Sequence, residues 1–169
     1  MKKVKIMLAT GILATGFVLQ TFAQEPMLPE VTVLARNYKY LKSVNNKEAG
    51  QPVNLLEHKA AAYDVKNSEF YDDDYDTYYI SFYLPQGYIL AVYDQQGKLL
   101  RSAEKFSFTA LPSAVKNAVA QKYPDWSISD DIYQVSYTDA NGAQKIYKVV
   151  LQNGSKQMRI KTNEKGEFL

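Results

Sequence analysis

The sequence contains no cysteine. That absence excludes disulfides, thiolate nucleophiles, cysteine zinc sites and the acylated first cysteine of a bacterial lipoprotein. His58 is the only histidine, so neither a two-histidine HExxH zinc motif nor the HxGH motif of nucleotide-adenylyl transfer can form. No GxSxG elbow, GxGxxG turn or GxxxxGK loop occurs, which removes the usual esterase nucleophile and the usual phosphate cradles. Catalysis would have to rest on carboxylates or tyrosines alone. The expectation is a non-enzymatic chain with no cofactor and no metal.

Long apolar runs are almost as scarce. One stretch, from Ile6 to Leu19, follows Lys2, Lys3 and Lys5 and is followed by Thr21-Phe22-Ala23. A basic start, an apolar middle and a small-residue exit read as a secretory signal peptide over residues 1 to 23. The run falls short of the roughly 20 residues that cross a bilayer as a helix, so no membrane span is expected after cleavage. The whole chain carries 20 Lys and Arg against 18 Asp and Glu. Removing the three leading lysines leaves 20 − 3 = 17 basic side chains against 18 acidic ones, a net charge of −1. A basic nucleic-acid binder is therefore not expected. The expected compartment is the periplasm or the exterior.

Residues 24 to 51 read as a strap and linker, with a β-branched run at Val31-Thr32-Val33 and a polar stretch through Asn45, Asn46 and Gly50. Beyond Pro52, the spacing of Val53, Leu56, Ala60 and Tyr63 predicts a helix. Thr77 to Leu84, Tyr88 to Tyr93 and the stretch after Gly97 through Phe108 predict an antiparallel meander, punctuated by Pro85-Gln86-Gly87 and Asp94-Gln95-Gln96-Gly97. A second helix is predicted from Pro112, with Val115, Ala118, Val119 and Tyr123 on one face and Pro124 as its stop. Three more strands follow: Tyr133, Val135 and Tyr137 on one face, then Tyr147, Val149 and Leu151, then Met158 and Ile160. Asn141-Gly142 and Asn153-Gly154 supply the turns.

Two halves are expected. Leu84-Pro85-Gln86-Gly87 matches Leu151-Gln152-Asn153-Gly154 at an offset of 67, Tyr79 matches Tyr147 at 68, and Gly97-Lys98-Leu99-Leu100 matches Gly166-Glu167-Phe168-Leu169 at 69. The second half resembles the PepSY-like family of exported proteins, whose fold is related to the tandem repeat of the β-lactamase-inhibitor protein. Its Leu111-Pro112, Val115-Lys116, Ala118, Tyr123-Pro124-Asp125-Trp126, Tyr147-Lys148-Val149 and Lys161 to Leu169 carry the likeness. The first half matches more weakly, lacking the Leu-Pro start and the Tyr-Pro-x-Trp end. The resemblance implies an α+β fold of two tandem helix-plus-antiparallel-sheet repeats, at residues 52 to 108 and 109 to 169. It also implies binding or inhibition of an envelope or secreted protein such as a hydrolase, and it carries over no catalytic residues.

Seven of the fourteen tyrosines fall between Tyr71 and Tyr93, beside Asp72, Asp73, Asp74, Tyr75 and Asp76. Tyrosine offers large contact area with few torsions to freeze, and interface cores are enriched in it. The candidate binding residues are therefore Asp72, Asp73, Asp74, Tyr75, Asp76, Tyr78 and, in the second half, Trp126. A competing reading packs alternate tyrosines into the sheet and leaves the aspartates as a solvated loop; another makes the chain a small-ligand or peptide-binding module. An EF-type calcium loop fails, because Thr77 stands where glycine is needed and Tyr83 where a bidentate glutamate is needed. His58 lies off the apolar stripe and reads as exposed. Asp125, Asp130 and Asp131 read as ordinary loop acids rather than a glycosidase pair.

Overall fold

A computed structural model describes residues 36–169, so the expected signal peptide and the Val31-Thr32-Val33 run lie outside the described residues. Three helices, α1 (Tyr38–Val44), α2 (Gln51–Ala62) and α3 (Ser113–Lys122), accompany one antiparallel sheet. Its strands are β1 (Thr77–Leu84), β2 (Gly87–Asp94), β3 (Leu99–Ser107), β4 (Ser127–Thr138), β5 (Gly142–Asn153) and β6 (Lys156–Asn163), and each pairs with the next in sequence. The class is α+β. No helix among the described residues is long and apolar enough to cross a membrane.

The helix α2 follows its stripe: Val53, Leu56, Glu57, Ala60 and Ala61 are buried, the i, i+3, i+4, i+7, i+8 face of a 3.6-residue period. Pro52 lies in its first turn, where a missing N–H costs nothing. In α3, Val115 and Val119 are buried and Pro112 sits at the N-cap, just outside the helix. The segment read as a linker contains α1. Tyr40 and Val44 are the buried residues among its seven, with Leu41 half-buried against the core, too short a stripe for a periodic signal.

All three helices contribute to one apolar cluster with the inward residues of the sheet. Alternation along the strands builds that cluster in rows. One row runs Ile89, Glu104, Val135, Lys145 across β2 to β5, and the next runs Gly87, Phe106, Tyr133, Tyr147, Thr162 across β2 to β6. Tyr40, Tyr93, Tyr133, Tyr137 and Tyr147 rank among the largest fully buried side chains. Tyr133 stacks on Tyr147 with ring centroids 4.7 Å apart, and Tyr40 meets Tyr137 edge-on at 5.2 Å. Each such pair is worth about 1 kcal/mol beyond its buried area.

A helix followed by three strands occurs twice, as α2-β1-β2-β3 and α3-β4-β5-β6. The sequence offset of 67 to 69 cuts across that order. It lays β1 on β5 and carries Tyr79, 70% exposed, onto Tyr147, 1% exposed. Glycine-ended hairpin turns look alike whichever strands they join.

The two edges of the sheet differ. Along β6 the chain end folds back, with Thr162 bridged to Phe168 and the Leu169 N–H donating to the Lys161 carbonyl at 2.9 Å. Along β1 the only strand partner among the described residues is β2, in an unbroken eight-residue register.

Candidate functional site

The acidic run forms a tight loop before β1. The Asp74 N–H donates to Asp72 Oδ1 at 3.0 Å and the Tyr75 N–H to the Asp72 carbonyl at 3.2 Å. Gln95 Nε2 ties the loop to the β2–β3 turn by donating to the Asp73 carbonyl at 2.9 Å. Asp72, Asp73, Asp74, Tyr75 and Asp76 are all exposed. Among the described residues no three acidic or histidine side chains converge as a metal site. Tyr78 lies elsewhere: strand alternation turns it inward to 5% exposure, where it stacks on Tyr71 and its hydroxyl donates to the Asp72 carbonyl. It braces the acidic loop from beneath.

The outward positions of β1 and β2 complete the surface. Tyr79 and Tyr83 are 70% and 66% exposed, Leu90 is exposed beside them, and the Tyr83 and Tyr88 rings lie 6.1 Å apart. Arg101 on β3 places its guanidinium 6.0 Å over the Tyr79 ring and donates from Nη2 to the Tyr79 hydroxyl at 3.3 Å. Farther across the same face the outward residues turn basic, with Lys148 on β5 and Arg159 and Lys161 on β6. An aromatic half and a basic half thus share one face that no helix among the described residues covers.

Several depressions touch this region. One, of about 180 Å³, sits on the outer face among Tyr88, Leu90, Lys105, Gln134 and Ile146. A second, of about 230 Å³, lies at the β1–β2 turn among Tyr83, Leu84, Gly87, Tyr88 and Lys105, and a third, of about 510 Å³, lies among Pro52, Asn54, Leu55, Leu84 and Gln86. A fourth, of about 520 Å³, runs along the outer edge of β1 and is lined by Phe70, Tyr75 and residues Thr77, Tyr78, Tyr79, Ile80 and Ser81 of the strand itself. Two of the sequence-predicted residues, Tyr75 and Tyr78, therefore line one groove. Trp126 does not join them. It is half-buried against the core, before β4.

The inner face holds a polar cluster that sequence reading passes over. Glu57 and Glu104 are 1% and 3% exposed. Tyr40 and Ser102 donate to Glu104 Oε1 at 2.8 and 2.7 Å, while Glu104 Oε2, Glu57 Oε1 and the Tyr133 hydroxyl have no partner among the described residues. Burial raises both carboxyls above the ordinary carboxylate range, and the neighbouring Glu104 raises Glu57 further. Lys145, whose Nζ bonds Glu164 at 3.0 Å and the Asn45 carbonyl at 3.2 Å, pulls both back down. The signal for this pair lay in the patterns themselves: Glu57 occupies an apolar-stripe position of α2, and Glu104 alternates in phase with Phe106.

His58 is exposed. Asp131 is not a loop acid but an inward residue of β4, its Oδ2 accepting from the Thr109 N–H at 3.0 Å and the Thr109 hydroxyl at 2.7 Å. Neither the family models nor the curated proteins contain a match to this chain.

Proposed function

We propose that the chain is an exported, non-catalytic binding protein that holds another envelope or secreted protein on the outer face of its sheet, and that a hydrolase inhibited or modulated there is the partner. The observation that carries this reading is the pair Tyr79 and Tyr83. Two large aromatic rings stand about two-thirds exposed on a rigid strand, with an exposed acidic loop at one end and Arg101 braced against one ring. Rigid aromatics flanked by charge are the usual anchors of protein interfaces. The recurrence of helix followed by three strands supports reading the fold as two PepSY-like halves of the β-lactamase-inhibitor-protein kind, an exported scaffold used for binding.

A second reading, a periplasmic peptide-binding module, draws on the groove beside β1. A small-molecule site on the face itself has less support, because the depressions there hold about 180 and 230 Å³, below the roughly 300 to 1,000 Å³ typical of ligand sites.

Affinity capture from the cell envelope tests the main reading, using the wild-type chain, a Tyr79→Ser/Tyr83→Ser variant and an Asp73→Ala/Asp74→Ala/Tyr75→Ala variant as baits. A hydrolase enriched by wild type and lost with the aromatic variant is the expected outcome. Identical captured sets from all three folded baits would remove the reading.

A further inference from the structure

Among the described residues, the outer edge of β1 has none of the devices that keep sheet edges apart. Thr77–Leu84 holds no charged residue, no proline and no bulge, whereas edges are ordinarily blunted by lysine, proline, bulges or a covering segment. Among the described residues nothing pairs with its outer side.

We propose that β1 is a self-association strand: two copies of the chain join their β1 edges antiparallel about a twofold axis through Ser81, making one twelve-stranded sheet. This inference does not depend on what the outer face binds.

Three observations select a second copy as the occupant. The first is the groove that flanks the first half of the strand, Thr77 to Ser81, with Phe70 and Tyr75 as its wall. A twofold at Ser81 sets residues 81 to 85 of each copy against residues 77 to 81 of the other, so the groove beside each strand receives the second half of the other copy's strand. An antiparallel pair related by a perpendicular twofold also keeps like faces together. In this register Tyr79 stands opposite Tyr83 of the second copy on the outer face, and Ile80 opposite its Phe82 on the helix side. Aromatic cross-strand pairs of this kind stabilise sheets.

The second observation is charge. The acidic loop lies at the Thr77 end alone, and antiparallel pairing sends the two loops to opposite ends of the joint. Eight strand residues span about 27 Å, well beyond the screening length of about 8 Å at physiological salt. A parallel joint would place the two loops side by side.

The third is closure. The other edge carries Lys156, Arg159 and Lys161, and its end is covered by the Thr162–Phe168 bridge. Growth is therefore open on one side only, and association stops at two copies.

The test uses the intact chain in sedimentation equilibrium, with Ser81→Lys and Ser81→Asp variants. Ser81 is exposed, so neither change disturbs the core, which circular dichroism would verify. Wild type is expected to be dimeric at about 10 µM. Each variant sets like charges directly across the twofold and should dimerise at least about tenfold more weakly. An equimolar mixture of the two should recover the dimer, because lysine then faces aspartate. A wild-type chain that stays monomeric to about 100 µM, with or without a captured extended peptide at the groove, would overturn the proposal, and so would a dimer untouched by either substitution or a mixture that fails to recover.

Discussion

At one margin of the sheet, β1 offers eight uncharged residues rich in tyrosine and phenylalanine, with a groove alongside. At the other, β6 carries three basic side chains and the chain doubles back to cover its end. Both strands belong to the same antiparallel ladder and bury alternate residues in the same core, so core packing does not explain the difference. What differs is the treatment of the main-chain groups left at the margin, which are an open template for another strand. An edge is a chemical choice separable from the fold it borders. The acidic loop sharpens the contrast, because it holds charge beside β1 while leaving the strand itself neutral.

The largest break in this comparison comes from Gly166, which turns the chain end back towards β6. Its φ is +81°, and a Cβ there would lie 2.6 Å from the Ala114 carbonyl oxygen and 3.0 Å from the Ala118 Cβ. A β-branched residue is strained in that conformation and also collides with α3. Gly166→Val is expected to cost about 3 kcal/mol in chemical denaturation, and the uncovered end of β6 should then let association pass two copies. An unchanged denaturation midpoint would show that the tail does not hold that edge.

A second, smaller effect isolates the frame between the edges. Glu57 has its carboxyl raised by burial and by the neighbouring Glu104, so the folded chain holds a proton that the unfolded chain releases in the ordinary carboxylate range. The stabilisation from that bound proton is fully present below the ordinary range and is lost as pH rises through the raised value. Glu57→Gln keeps the neutral shape without the ionisation. At pH 4 the variant should match wild type, and at pH 9 it should be more stable by about 1 to 3 kcal/mol, with the state of association unchanged. Parallel stability curves for the two proteins across that range would mean that Glu57 does not carry the proton.

Much of the contrast was readable in the sequence. The alternations of Tyr133, Val135 and Tyr137 and of Tyr147, Val149 and Leu151 matched inward rows, because their intervening residues are polar or charged at most positions. The strand β1 offered no such help. Tyr78, Ile80 and Phe82 face inward while Tyr79 and Tyr83 face outward, and with aromatic residues on both sides, hydropathy cannot say which tyrosine is core. That is why Tyr78 reads as a surface residue until the fold shows it beneath the acidic loop. The short helix α1 is held by distant partners rather than by its own pattern: Asn37 receives the Leu99 N–H at 2.6 Å and donates to the Gly97 carbonyl at 3.2 Å, 62 and 60 residues away. Phe108, 79% exposed with a φ of +54°, has no local sequence signal for that conformation. The edge groove depends on Phe70 and Tyr75 standing beside a strand that follows them, a relation that only the turn between them creates.

The smallest effect on stability is also the most direct trial of the comparison. Lys156, Arg159 and Lys161 are exposed on β6, and replacing all three with threonine keeps strand propensity while removing the charge that distinguishes this edge from β1. None of the three forms a salt bridge among the described residues, so thermal stability should move by no more than about 0.5 kcal/mol. Association should change far more. With two neutral edges, each copy can add a neighbour on both sides, and a joint that previously closed at two becomes an open series. Light scattering against concentration should then show a rising mass for the triple variant and a plateau for wild type, and adding Ser81→Lys to the triple variant should restrict that growth through the β1 edge. A plateau in the triple variant at the wild-type mass would show that the covered chain end, and not the basic side chains, guards β6.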